Sequence, residues 1–128
     1  MMDGMTLDTG LNDAVQRYCA ALHFGDGAAL EALCDARFLM HWVGKNDIAQ
    51  AIDKAAFTAR VGARAAFPGE PVFEVLSVDV DGEIAQVKLN VTVPPRVYTD
   101  QLGFFRVGDE WRLVTKLFRV GSGPAMEV

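Results

Sequence analysis

Apolar residues recur every three or four positions early in the chain and every second position after Val72, so the expected structure changes from helical to extended along its length. Leu11, Val15, Tyr18 and Leu22 are spaced by four, three and four. This spacing predicts an amphipathic helix, capped by Thr6, Asp8 or Thr9, with Tyr18 facing inward. Gly25 suits the left-handed residue that stops such a helix, and Asp26 suits the cap of a second, short helix carrying Leu30 and Leu33. Arg37 to Val43 is rich in β-preferring and aromatic residues and stops at Gly44. In that short strand Leu39, His41 and Val43 share one face, and Phe38, Met40 and Trp42 the other. A third helix is expected from a cap at Asn46 to about Arg60, with Ile48, Ile52, Ala55 and Ala59 on one side and Phe57 off that stripe. Val61 to Pro71 contains Phe67-Pro68-Gly69-Glu70-Pro71 and reads as a loop over the surface or over a pocket mouth.

Beyond it, Val72 to Val80 leads to a turn at Asp81-Gly82. In the following strand Ala85, Val87, Leu89, Val91 and Val93 alternate with polar residues, as in a half-buried antiparallel strand. Pro94-Pro95 ends it. Val97 to Val107 and Glu110 to Val120 are the last two strands, turning at Gly108-Asp109, and Gly121-Ser122-Gly123-Pro124 opens a loose tail. Helices segregated from an antiparallel meander indicate an α+β fold with the helices on one sheet face. Nothing divides the chain, so residues 1–128 are read as one domain, with 1–8 and 121–128 as tails.

A length of 128 residues suffices for one core. With 51% hydrophobic residues and no apolar run near the roughly 20 residues needed to cross a bilayer, a soluble protein without a membrane partner is expected. The net charge of −5 argues against nucleic acid as a partner. The first residues lack the basic and apolar regions of an export signal, which leaves the cytoplasm as the expected compartment. Cys19 and Cys34 read as small buried hydrophobes. Neither they nor His23 and His41 have zinc-ligand spacing, so no metal and no cofactor are expected.

Taken together, helix, Gly-Asp helix, short strand, third helix and long antiparallel strands resemble the nuclear transport factor 2-like superfamily. That resemblance implies a cone-shaped, cystatin-like roll: three N-terminal helices on a curved antiparallel or mixed sheet. Val15-Gln16-Arg17-Tyr18, Ala20-Ala21-Leu22, Gly25-Asp26 and Val43-Gly44 resemble bacterial ketosteroid isomerase. Tyr98-Thr99-Asp100, Leu102 and Trp111 to Phe118 resemble the branch named putative lumazine-binding, and SnoaL-like cyclases and scytalone dehydratase are similar in architecture. By this resemblance Tyr18 falls at the isomerase's oxyanion-hole tyrosine, His41 at its general base, and Leu102 at its second oxyanion-hole donor. Leucine donates no hydrogen bond, so steroid isomerisation is not expected.

Alternation puts Tyr98, Asp100, Leu102 and Phe104 on one face of their strand, and Val114, Lys116 and Phe118 on one face of theirs. The candidate catalytic set is His41, Asp100 and Tyr18: His41 as base or proton relay beside a carbonyl, Asp100 orienting it, Tyr18 holding the oxyanion. Such a set suits an isomerase, dehydratase or cyclase. The candidate ligand-binding set is Lys116, Leu22, Phe57, Leu102, Phe104, Val114 and Phe118, apolar walls with few polar anchors, as a pocket for a small apolar or aromatic molecule requires. Lys116 either neutralises Asp100 or meets an anionic ligand group. A binding module without chemistry, and a dimerisation platform covered through Trp42, Trp111 and Leu113, are the alternatives. A two-fold homodimer is expected from the superfamily and from the frequency of such dimers.

Overall fold

The computed structural model describes residues 9–127, in which three helices cover one face of a six-stranded sheet. In chain order these are α1 (Thr9–Phe24), α2 (Gly27–Leu33), β1 (Cys34–Val43), a short 3-10 turn (Lys45–Asp47), β2 (Ala49–Asp53), α3 (Lys54–Gly62), β3 (Phe73–Asp81), β4 (Ile84–Val93), β5 (Arg96–Val107) and β6 (Glu110–Ser122). The strands lie in the order β2-β1-β6-β5-β4-β3. Only β1 and β6 pair in parallel, so the sheet is mixed. The core lies between helices and sheet, where Leu11, Val15, Leu30 and Phe38 meet Leu89, Leu102 and Leu113.

Local chemistry sets the breaks. Asp26 caps α2 by accepting from the Ala29 amide at 3.0 Å, and Gly25 takes the left-handed conformation between the two helices. The proposed α1 caps Thr6 and Asp8 lie outside the described residues.

The expected helix from Asn46 to Arg60 is corrected. Its first half is the 3-10 turn plus β2, which pairs antiparallel with β1 from Leu39↔Asp53 to Val43↔Ala49. Asn46 and Asp47 both have positive φ, which reverses the chain into a ribbon rather than a helical turn. Asp53 then caps the shorter α3 through the Ala56 amide at 3.0 Å. Sheet pairing has overridden the helix preference of the alanines here. Phe57 therefore belongs to a new stripe and is buried with Val61.

Two irregularities decide which side chains face inward. β1 and β6 shift register between Cys34 and Leu39, and β5 and β6 shift between Gly103 and Phe104. Three extra residues of β1 at the first and one extra residue of β6 at the second change the sheet face on which the next side chains of the strand lie. Asp35 fills the first, accepting from the Arg37 amide and Nε, both at 2.9 Å, with Arg112 Nη1 3.5 Å away.

The hairpin turn after β3 lies one residue later than expected, because Asp81 pairs with Ile84 across Gly82-Glu83. Pro94-Pro95 and Gly108-Asp109 make the remaining two turns. The segment after β6 does not trail away. Arg96 donates from Nε to the Pro124 carbonyl at 2.8 Å and from Nη2 to the Ala125 carbonyl at 3.0 Å, and Tyr98 Oη lies 3.4 Å from Met126 Sδ.

Candidate functional site

β5 brings Asp100 into the interior opposite α1, and β6 brings Lys116 beside it. The cross-strand partners are Asp100↔Phe118 and Leu102↔Lys116, so the two charges are diagonal neighbours on the inner sheet face. Tyr18 reaches them from α1, its hydroxyl donating to Asp100 Oδ2. Lys116 Nζ lies 3.9 Å from the same oxygen. Tyr18 and Asp100 are fully buried and Lys116 is 6% exposed. The ammonium is also surrounded by rings, at 4.8 Å from the centre of Phe57, 4.9 Å from Phe118 and 5.4 Å from Tyr18. Such placement over ring faces partly replaces lost hydration.

Burial dominates the titration of all three. It raises the Asp100 carboxyl above the ordinary carboxylate range, against the opposing effects of the Lys116 charge and the Tyr18 hydrogen bond. Burial lowers the Lys116 ammonium, against the pull of Asp100. Burial and the neighbouring carboxylate raise the Tyr18 phenol. Among the described residues Asp100 Oδ1 has no hydrogen-bond partner.

Lys116 is also the floor of a cleft of about 150 Å³ between α1, α3 and the inner sheet face. Leu22, Met40, Phe57, Val61 and Phe118 form its apolar walls. Arg60, Arg64, Arg96 and Tyr98 stand around it, and Met126 borders it from the segment after β6. No Asp or Glu lines it, although the whole chain is acidic. Arg64 donates to the Leu22 carbonyl at 3.0 Å and lies over the Phe67 ring, while Arg60 lies over the Trp42 ring.

The candidate residues divide accordingly. Lys116, Leu22, Phe57 and Phe118 surround this cleft. Asp100 and Tyr18 sit bonded to each other behind Lys116, outside the lining. Leu102 and Phe104 are packed in the core. Val114 is a correction: the shift between Gly103 and Phe104 turns Leu113 inward and leaves Val114 on the outer face, lining a separate hollow with Thr115 and Gln86.

His41 is the larger correction. From Phe38 to Val43 the buried side chains of β1 are Phe38, Met40 and Trp42, and His41 is exposed with Leu39 and Val43 on the face turned from the helices. Alternation separates the two faces of the strand correctly, but alternation alone does not say which face is covered. Three bulky apolar side chains bury more surface than two with an imidazole, and that decides it. His41 therefore joins neither Asp100 nor Tyr18.

Three arginines of the cleft, Arg60, Arg64 and Arg96, are absent from the residues that the sequence singles out. Phe57, Arg60, Val61 and Arg64 follow the i, i+3, i+4, i+7 pattern of one helical face. A helix begun at Asn46 hides that signal. Among the described residues no three His, Cys, Asp or Glu side chains are grouped as metal ligands would be, and no helix is long and apolar enough to cross a membrane.

Known proteins with this architecture are numerous among solved structures. A nuclear transport factor 2-like protein of unknown function from Silicibacter pomeroyi DSS-3 is 24% identical, with a TM-score of 0.79, over 87% of this chain and 92% of that one. A similar protein from Shewanella baltica OS155 is 11% identical, with a TM-score of 0.81, over 89% and 93%. One from Methylobacillus flagellatus KT is 14% identical, with a TM-score of 0.74, over 93% and 98%. At these identities the likeness is one of fold, the α+β cone of nuclear transport factor 2-like proteins. No curated protein matches the chain. A family model does match, along residues 8–119, and by that match the chain belongs to the family described as "Putative lumazine-binding".

Proposed function

We propose that this protein binds a small, mostly apolar or aromatic molecule in the cleft above Lys116. The observation that carries the reading is the cleft itself: aromatic and aliphatic walls converging on one buried ammonium, the few-polar-anchors pattern of small-molecule sites. Its volume equals that of an engineered apolar cavity that takes up benzene, so one ring fits the enclosed part and a larger ligand extends into the open mouth. The name of the family adds lumazine, a bicyclic heteroaromatic, to the compounds worth testing.

Binding is favoured over His-based proton transfer to a carbonyl compound, because the imidazole of His41 is on the other side of the sheet. Titration of benzamide and of lumazine, followed through the methyl signals of Met40 and Met126, tests the reading. Saturable shifts in both methyls are expected, weakened by Leu22→Phe, which fills the cleft. Absence of any shift at millimolar ligand overturns it.

The homodimer is part of the same proposal. Leu39, Val43 and Leu117 are 45%, 71% and 57% exposed on adjacent strands of the outer face, and a second copy would cover them. Sedimentation equilibrium tests this through the mass at micromolar concentration.

A further inference from the structure

We propose that the ligand of this cleft is a carboxylate, its apolar body against Leu22, Phe57 and Phe118 and its anionic group at the rim held by Arg60, Arg64 and Arg96. The inference rests on the ligand-binding reading above and specifies the class of molecule.

The balance of charge around the cleft carries it. Lys116 has Asp100 as a counter-ion. Arg17, Arg37, Lys54 and Arg112 likewise have carboxylates within 4 Å. Among the described residues Lys45, Lys88, Arg60, Arg64, Arg96, Arg106 and Arg119 have none, and of these Arg60, Arg64 and Arg96 border one hollow that no acidic side chain lines. Three guanidinium groups without carboxylate partners thus border the same hollow as a fourth cation, and the partial burial of Arg64 and Arg96 weakens the screening of their charges. Lys116 registers one of the three: burial is the main cause lowering its ammonium, Asp100 opposes it, and Arg64 adds to the lowering. An anion at the rim supplies the missing partner.

The rim also has the right donors. Arg96 spends its Nε–Nη2 edge on the Pro124 and Ala125 carbonyls at 2.8 and 3.0 Å, which fixes the guanidinium at the rim and leaves Nη1 to donate to a carboxylate. Arg60 has no hydrogen-bond acceptor among the described residues and is held by its stacking on Trp42, 5.6 Å from the ring centre. Arg60 is exposed, Arg64 and Arg96 are half-buried and Lys116 is buried, so the cations grade from mouth to floor along a wall that is otherwise apolar. An amphiphile with one charged end matches that gradient. A neutral ring leaves the guanidinium groups unanswered.

Benzoate and benzamide are the probes, equal in shape and different in charge. Benzoate is expected to bind about tenfold more tightly than benzamide at low salt, to lose that advantage as salt is raised, and to lose most of it in Arg60→Gln, while benzamide is indifferent to both changes. Arg96→Gln should act in the same direction. Equal affinity for the two probes, or a benzoate preference untouched by Arg60→Gln and Arg96→Gln, overturns the carboxylate assignment and leaves the pocket standing. If neither probe shifts the methyl signals of Met40 and Met126, the pocket reading fails and this inference falls with it.

Discussion

Lys116 Nζ lies 3.9 Å from Asp100 Oδ2, yet the oxygen is already bonded to the Tyr18 hydroxyl and the ammonium is ringed by three aromatic side chains. The pair is thus a charge held in the core by one opposite charge, one hydroxyl and three ring faces. Removing either partner strands the other. Lys116→Met should cost about 3–5 kcal/mol at pH 7, whereas Asp100→Leu with Lys116→Met should recover most of it. The sign with pH comes from the raised carboxyl. A group whose folded pKa exceeds its unfolded value favours folding fully below the unfolded value, and that contribution is lost as pH rises through the folded one. Without Lys116 the rise is larger. Urea titrations should show Lys116→Met losing stability between pH 4 and 7 more steeply than the parent protein.

Asp35 has the opposite sign. Hydrogen bonds from the Arg37 side chain and amide hold its carboxyl down to about 2, from an ordinary 3.8. Its contribution is therefore present above the unfolded value and lost as the pH falls through the folded one. Asp35→Asn should flatten the decline in urea midpoint between pH 4 and 2, and should cost about 1–3 kcal/mol at neutral pH through the donors left behind.

Two glycines at one helix crossing should respond differently to alanine. A Cβ on Gly27 would stand 2.7 Å from the Thr58 carbonyl oxygen and 3.1 Å from Gly62 Cα, both backbone. A Cβ on Gly62 would meet only Gly27 Cα at 3.5 Å, an ordinary contact, and the Gly27 amide nitrogen at 3.8 Å. Gly27→Ala is expected to lose about 1–3 kcal/mol through overpacking. Gly62→Ala, in the last turn of α3, is expected to be neutral or to gain about 0.4–1 kcal/mol from a less flexible unfolded chain. Thermal unfolding of the two variants side by side checks the difference.

His41→Ala should leave ligand affinity in the cleft unchanged and alter stability by no more than about 0.5 kcal/mol, as at other exposed positions. A tenfold loss of benzamide affinity in this variant would return the imidazole to the site.

His41 also marks how far the residues can be read before folding. Period finds α1 and the strands after Val72 and puts Tyr18 on the inner side of α1, and residue type identifies Asp26 as a cap. The resemblance carried by Tyr18, Gly25-Asp26 and Trp111 to Phe118 anticipates the cone. Period cannot supply the choice between two faces of one strand, or the residue at which a strand slips. His41 is misplaced by the first and Val114 by the second, because each depends on what the neighbouring strand covers. Arg60 and Arg64 fail to emerge for a related reason. Their stripe begins only where β2 stops, and β2 exists because β1 is there to pair with it.

The position of β6 has a consequence for synthesis. It is the seam between the β2-β1 ribbon and the β5-β4-β3 meander, and it is also the last strand to leave the ribosome. Until residue 122 has emerged, the β2-β1 ribbon and the β5-β4-β3 meander lack the strand that joins them, and each would leave an open edge toward its future neighbour. Lys116 arrives with that closing strand, so Asp100, made 16 residues earlier, meets its counter-ion only when β6 inserts. Ribosome-bound chains halted before Glu110 should accordingly be protease-sensitive throughout, and should become resistant in a single step once β6 is free to insert.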